Sequence, residues 1–146
     1  MEIFTKGAQD TQNVGKKITG LIKQGKRTRA TILALYGELG SGKTTFVQGL
    51  AKVIGVPHRI LSPTFTIMRE YPVQYLDFTR LFHIDLYQIK EVDNDTLGLS
   101  EIFANPRHLV VIEWAERLGN KLPKDHLDIY FEVKNQGRLI IVRNYE

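Results

Sequence analysis

Runs of apolar residues and spaced apolar residues divide this chain into elements. Met1 to Thr5 reads as a short edge strand. Asp10 then stands as N-cap of a helix whose apolar face is Val14, Ile18, Leu21 and Ile22, with Gly25 as its stop. Ala30 to Tyr36 is almost wholly apolar and partly β-branched, the signature of a strand buried on both faces of a parallel sheet. Val47, Leu50, Ala51 and Ile54 follow helical spacing, and Gly55 and Pro57 close that helix. Thr66 to Tyr71 reads as extended and broken by Pro72. Leu81 to Asp85 and His108 to Glu113 are two further apolar strands, each ending in a carboxylate. Asn94 to Phe103 reads as a short helix stopped before Pro106. Leu127, Ile129, Phe131 and Val133 alternate with polar residues, as in a strand buried on one face. Asn135-Gln136-Gly137 turns the chain, and Arg138 to Arg143 returns as a hairpin.

This succession predicts an α/β fold: one domain over residues 1–146, with a mixed, mostly parallel central sheet, flanking helices and a C-terminal β-hairpin. Between the second strand and second helix stands Gly37-Glu38-Leu39-Gly40-Ser41-Gly42-Lys43-Thr44, which fits G-x-x-x-x-G-K-[ST]. By composition the pattern arises by chance about once in 200 chains of this length. Strand, glycine loop and helix in that order are the context a P-loop requires. Its glycines let the backbone curl around phosphates, successive N–H groups face one concavity, and the helix N-terminus adds partial positive charge. Glu38, Leu39, Gly40, Ser41, Gly42, Lys43, Thr44 and Thr45 are therefore the expected nucleotide-binding residues. Lys43 would reach the β- and γ-phosphates, and the Thr44 hydroxyl would ligate Mg²⁺.

Composition narrows the chemistry. The chain has 146 residues, 42% hydrophobic and 25% charged, values ordinary for a globular protein. It has no cysteine, which excludes disulfides, thiol nucleophiles and Cys-based zinc sites. His58, His83, His108 and His126 lack metal-ligand spacing and read as structural or surface residues. Neither a signal-peptide stretch in the first ten residues nor a span of about 20 apolar residues is present, so a cytoplasmic location without membrane contact is expected. Net charge is +4, and Lys23, Lys26, Arg27 and Arg29 form the densest basic cluster. A solvated loop accounts for it; contact with RNA phosphates or an acidic partner is the functional alternative.

A P-loop works with an acid at the tip of a neighbouring strand, which holds Mg²⁺ or positions water. Asp85 and Glu113 both stand where such an acid should, and spacing does not say which touches the metal. Thr64, in a Pro-containing turn after the P-loop helix, is a candidate γ-phosphate sensor. Trp114, next to Glu113, should lie near the metal. Asn120-Lys121-Leu122-Pro123 lacks the Asp of the guanine-recognition element, so ATP is expected over GTP.

Five ordered motifs together resemble the TsaE (YjeE) family of P-loop ATPases, which serve bacterial tRNA threonylcarbamoyladenosine synthesis. They are the P-loop, Ser62-Pro63-Thr64-Phe65-Thr66, His83-Ile84-Asp85-Leu86-Tyr87, Leu97-Gly98-Leu99-Ser100-Glu101 and Ile112-Glu113-Trp114. The similarity runs from about Asp10 to Val133. It implies Thr44 and Glu113 as Mg²⁺ ligands, Asp85 as needed for hydrolysis, and Thr64 and Trp114 as lining the site. Thr11 and Arg138 are implied near the nucleotide. TsaD-like and TsaB-like proteins are the implied partners, with ATP hydrolysis resetting their complex and tRNA reached through it. The family often carries Ala where this chain has Ser41, and Pro where it has Ala115. Two other readings of the residues stand beside this one: a kinase for a nucleoside or other small molecule, and a module that holds nucleotide without hydrolysing it.

Overall fold

A computed structural model describes residues 1–22, 27–56, 60–61, 63, 66–90, 92 and 96–144. Seven strands form one sheet: β1 (Glu2–Thr5), β2 (Thr31–Tyr36), β3 (Met68–Tyr75), β4 (Phe78–Asp85), β5 (His108–Glu113), β6 (Leu127–Lys134) and β7 (Gly137–Arg143). Their order across the sheet is β1-β7-β6-β2-β5-β4-β3. The four central strands, β6, β2, β5 and β4, are mutually parallel. β7, β1 and β3 join by antiparallel pairing at the flanks. β1 thereby regains the central direction, and only β7 and β3 oppose it. The expected mixed, mostly parallel sheet with a C-terminal hairpin is present.

Helices α1 (Ala8–Ile18) and α2 (Lys43–Ile54) cover one face. Val14, Ile18, Phe46, Val47, Leu50 and Ile54 pack there against Leu33, Leu35, Leu109 and Val111. The other face is covered by α3 (Leu99–Ala104), by the two 3₁₀ segments at Thr96–Gly98 and Ala115–Lys121, and by Leu86 and Val92. β2 and β5 bury both faces, which is why they read as continuous apolar runs. α1 and α2 cross so closely that a Cβ on Gly49 would stand 2.0 Å from the Gln12 carbonyl oxygen.

Four local expectations are corrected. Asp10 is not the N-cap. Gly7 holds that position, and Asp10, in the first turn, accepts a hydrogen bond from the Lys6 N–H at 3.1 Å. α1 ends at Ile18 and passes into a 3₁₀ turn at Thr19–Leu21; Gly25, its expected stop, lies outside the described residues. Pro72 does not break its strand, because β3 is an edge strand where a missing N–H costs no ladder bond; the register shifts between Pro72 and Tyr75 instead. β6 is not buried on one face alone. On its polar face Asp128 is buried too, held by hydrogen bonds from Tyr36, His126 and Asn144, while Val133 is 51% exposed where the hairpin leaves the core.

Candidate nucleotide site

Register brings three strand ends together. Leu35 of β2 pairs with Glu113 of β5, and Glu113 pairs with Asp85 of β4. The glycine-rich loop leaves the tip of β2 and enters α2, so the loop and both acids meet at the carboxyl edge of the sheet. This is where open α/β sheets place their ligands. A cleft of about 270 Å³ opens there, lined by Leu39 to Thr45, Asp85, Glu113 and Trp114.

The loop's shape depends on glycine. Gly42, the N-cap of α2, has φ 106°, and Gly37 has φ 150° with a would-be Cβ only 2.7 Å from the Phe131 carbonyl oxygen. The first-turn amides of α2 have no intrahelical acceptors, as at any helix N-terminus, and their residues line the cleft. Lys43 is 4% exposed. Its ammonium donates to the Glu38 carbonyl at 3.0 Å and to that of Gly37, and sits 4.7 Å from the Trp114 ring centre. Burial pulls the Lys43 pKa below its ordinary value, and the carboxylates of Glu113 and Asp85 partly offset this.

Thr44 Oγ1 donates to the Glu113 carboxylate, 3.1 Å from Oε2 and 3.3 Å from Oε1. A hydroxyl and a carboxylate are hard oxygen donors, so this pair fits Mg²⁺. Among the described residues no group of three or more His, Asp or Glu stands ready to hold a metal. Mg²⁺ is usually held by one or two carboxylates together with substrate phosphates and water. Asp85 is 4% exposed, and its Oδ1 accepts the Tyr87 N–H at 2.9 Å. Its own N–H donates to the Ile67 carbonyl at 2.7 Å. Ile67 and Trp114, the residues that flank the two acids, both adopt left-handed backbone (φ 66° and 59°), a conformation costly for such side chains.

Most of the residues singled out from the sequence converge here. Glu38 caps the loop's inner turn through its carbonyl, accepting the Ser41 N–H at 3.1 Å. Trp114 packs against Tyr87 in a tilted arrangement, ring centres 5.1 Å apart. Thr11 is buried beneath the loop, its Oγ1 3.1 Å from that of Thr5 and its methyl 3.4 Å from a would-be Gly42 Cβ. Arg138 reaches the Gly40 carbonyl at 3.1 Å from the neighbouring hairpin. Thr64, the expected γ-phosphate sensor, lies outside the described residues, as do Ser62 and Phe65. His83 is structural rather than surface: it is fully buried, with Nε2 2.5 Å from Glu113 Oε2, a contact its spacing does not specify. Its position two residues before Asp85, on the same strand face, was the available signal.

Comparison with known proteins agrees with this geometry. The family described as Threonylcarbamoyl adenosine biosynthesis protein TsaE matches residues 5–140. A tRNA threonylcarbamoyladenosine biosynthesis protein TsaE of Bacillus subtilis is 35% identical over 125 residues, covering 86% of this chain and 73% of that protein. The protein of the same name from Treponema pallidum is 32% identical over 138 residues, covering 94% and 95%. The crystal structure of Bacillus subtilis YdiB superposes with a TM-score of 0.72 at 30% identity, covering 96% of this chain and 82% of that one. With the sequence matched over nearly its whole length and the fold matched independently, the chain belongs to the TsaE family of threonylcarbamoyl adenosine biosynthesis.

Proposed function

We propose that this protein is a Mg²⁺-dependent ATPase that serves tRNA threonylcarbamoyladenosine modification in the cytoplasm, alongside TsaD-like and TsaB-like proteins. The observation that carries the proposal is the hydrogen bond between Thr44 and Glu113, 69 residues apart, under a phosphate loop with Asp85 on the adjoining strand end. Lys43 would exchange its loop carbonyls for the β- and γ-phosphates, and the first-turn amides of α2 would hold the remaining phosphate oxygens. Thr44 and Glu113 would hold Mg²⁺. Bound there, the metal supplies neutralisation of charge developing on the phosphate oxygens. Asp85, fixed by the Tyr87 N–H, would orient the attacking water and accept its proton. Trp114 and Arg138 would close the two sides of the loop.

Measuring ATP turnover by the chain alone, then with TsaD- and TsaB-like proteins and tRNA, tests this reading. Phosphate release that rises with the partners is expected, and Lys43→Ala should abolish nucleotide binding or turnover. Depleting the protein should remove threonylcarbamoyladenosine from tRNA. ATP left intact with every partner present would return the site to a binding module. A labelled phosphate found on a small acceptor would return it to a kinase.

A further inference from the structure

β4 presents Leu81, His83 and Asp85 to the face beneath α1 and α2, because alternate strand residues share a face. Leu81, and Leu109 and Val111 of the neighbouring strand, belong to the apolar cluster there. His83 lies in this layer at 0% exposure. An imidazole so enclosed loses its water and needs a polar partner. Its Nε2 has one, Oε2 of Glu113 at 2.5 Å. A metal-binding carboxylate only accepts, so the proton belongs on Nε2. Nδ1 has no hydrogen-bond partner among the described residues, so nothing competes for the other tautomer.

We propose that His83 is a positioning residue for Mg²⁺ binding: its Nε2–H fixes Oε2 of Glu113, so the carboxylate keeps its remaining lone pairs turned toward Thr44 and the metal. The inference rests on the reading above that Glu113 holds Mg²⁺. The physical need is specific. The terminal torsion of a glutamate is broad and roughly two-fold, so backbone placement alone does not orient the carboxylate. Thr44 offers a single hydroxyl shared between both oxygens, 3.1 and 3.3 Å away, and does not choose between them. His83 contacts Oε2, and in a low-dielectric layer that bond is strong. Outer-shell donors of this kind orient metal ligands, and their loss typically costs about 10–100-fold in metal affinity or activity.

The test is a MgCl₂ titration of the full chain with bound N-methylanthraniloyl-ATP, for wild type, His83→Leu and His83→Gln. His83→Leu should raise the Mg²⁺ concentration for half-maximal response about 10–100-fold, while affinity in EDTA moves far less. His83→Gln returns an amide donor near the Nε2 position and should recover most of the response. If His83→Leu titrates like wild type, or loses EDTA and Mg²⁺ affinity by the same factor, the positioning role is wrong. A wild type that ignores Mg²⁺ overturns the metal site itself, and this inference with it. Should His83→Leu fail to fold, ¹⁵N NMR of the metal-free wild type decides. Protonation of His83 at Nε2 is expected, and the Nδ1–H tautomer overturns the proposal.

Discussion

Ser41 sits inside the phosphate loop at 1% exposure, and its hydroxyl has no partner among the described residues. A buried polar group left unsatisfied costs about 1–3 kcal/mol, and removing it costs little packing. Ser41→Ala should therefore hold or raise the unfolding free energy read from urea titration, by up to about 1 kcal/mol. A fall of that size would mean the hydroxyl has a partner. Lys43 carries a different penalty. Burial holds its folded-state pKa below the ordinary 10.5, so between those two pKa values the unfolded chain binds more protons than the folded one. The cost is fully present below the folded pKa and is relieved as pH rises toward 10.5. The stability of wild type relative to Lys43→Met should thus improve as pH rises through the folded-state pKa toward 10.5, and paired urea titrations would show it. A difference independent of pH would mean that burial does not disfavour the ammonium. The residue scale also shows what sequence left unspecified at His83: its partner is a carboxylate on another strand, and only β4–β5 pairing reveals that.

α2 carries Lys43 and Thr44 on its first turn, so its placement sets the site, and its crossing with α1 sets its placement. Gly49 and Gly15 let the two backbones touch: their would-be Cβ atoms meet Gln12 O at 2.0 Å and Phe46 O at 2.2 Å. Helix propensity alone favours Gly49→Ala by about 1 kcal/mol. Overpacking against rigid backbone costs about 1–3 kcal/mol or more, so the variant should lose stability by about 2 kcal/mol and weaken nucleotide binding as α2 is pushed from α1. Gly20→Ala, which meets nothing within 4 Å, is the control and should stay within about 0.5 kcal/mol of wild type. A stabilised Gly49→Ala would mean the helices separate freely. The elements most legible in the sequence were β2, β5 and α2, since a strand buried on both faces and an amphipathic helix leave strong patterns. β3 was cut at Pro72 because the sequence does not say which strand is an edge. The 3₁₀ run at Ala115–Lys121 was missed because its buried residues, Ala115 and Leu118, are too few to set a period.

Across the whole molecule the site belongs to no single segment. Lys43 and Thr44 follow β2, Asp85 ends β4 and Glu113 ends β5, and the parallel pairing of these strands is what aligns them. The motifs and their meeting at strand tips were legible; the order was not, because β2-β5-β4 places the last of the three strands between the other two. Parallel neighbours joined by long crossovers form only when the intervening chain has folded, so the site and the central sheet should stand or fall together. A ligand that binds only the folded site then stabilises the molecule by RT ln(1 + [L]/Kd), about 2.7 kcal/mol at 100-fold over Kd. Mg²⁺ with ATP at that excess should raise the unfolding free energy by about that amount, and Glu113→Gln should lose the Mg²⁺-dependent part of the gain. Hydrogen exchange separates this global effect from local tightening. Amides in the first turn of α2 and at the carboxyl ends of β4 and β5 should gain the most protection. Those of β1, four residues long at the far edge and paired only to β7, exchange by local fraying that the ligand does not touch, and should gain little. Equal protection gained in β1 and at the strand ends would mean that the edge opens only with the whole sheet, and that the molecule is a single cooperative unit out to its first strand.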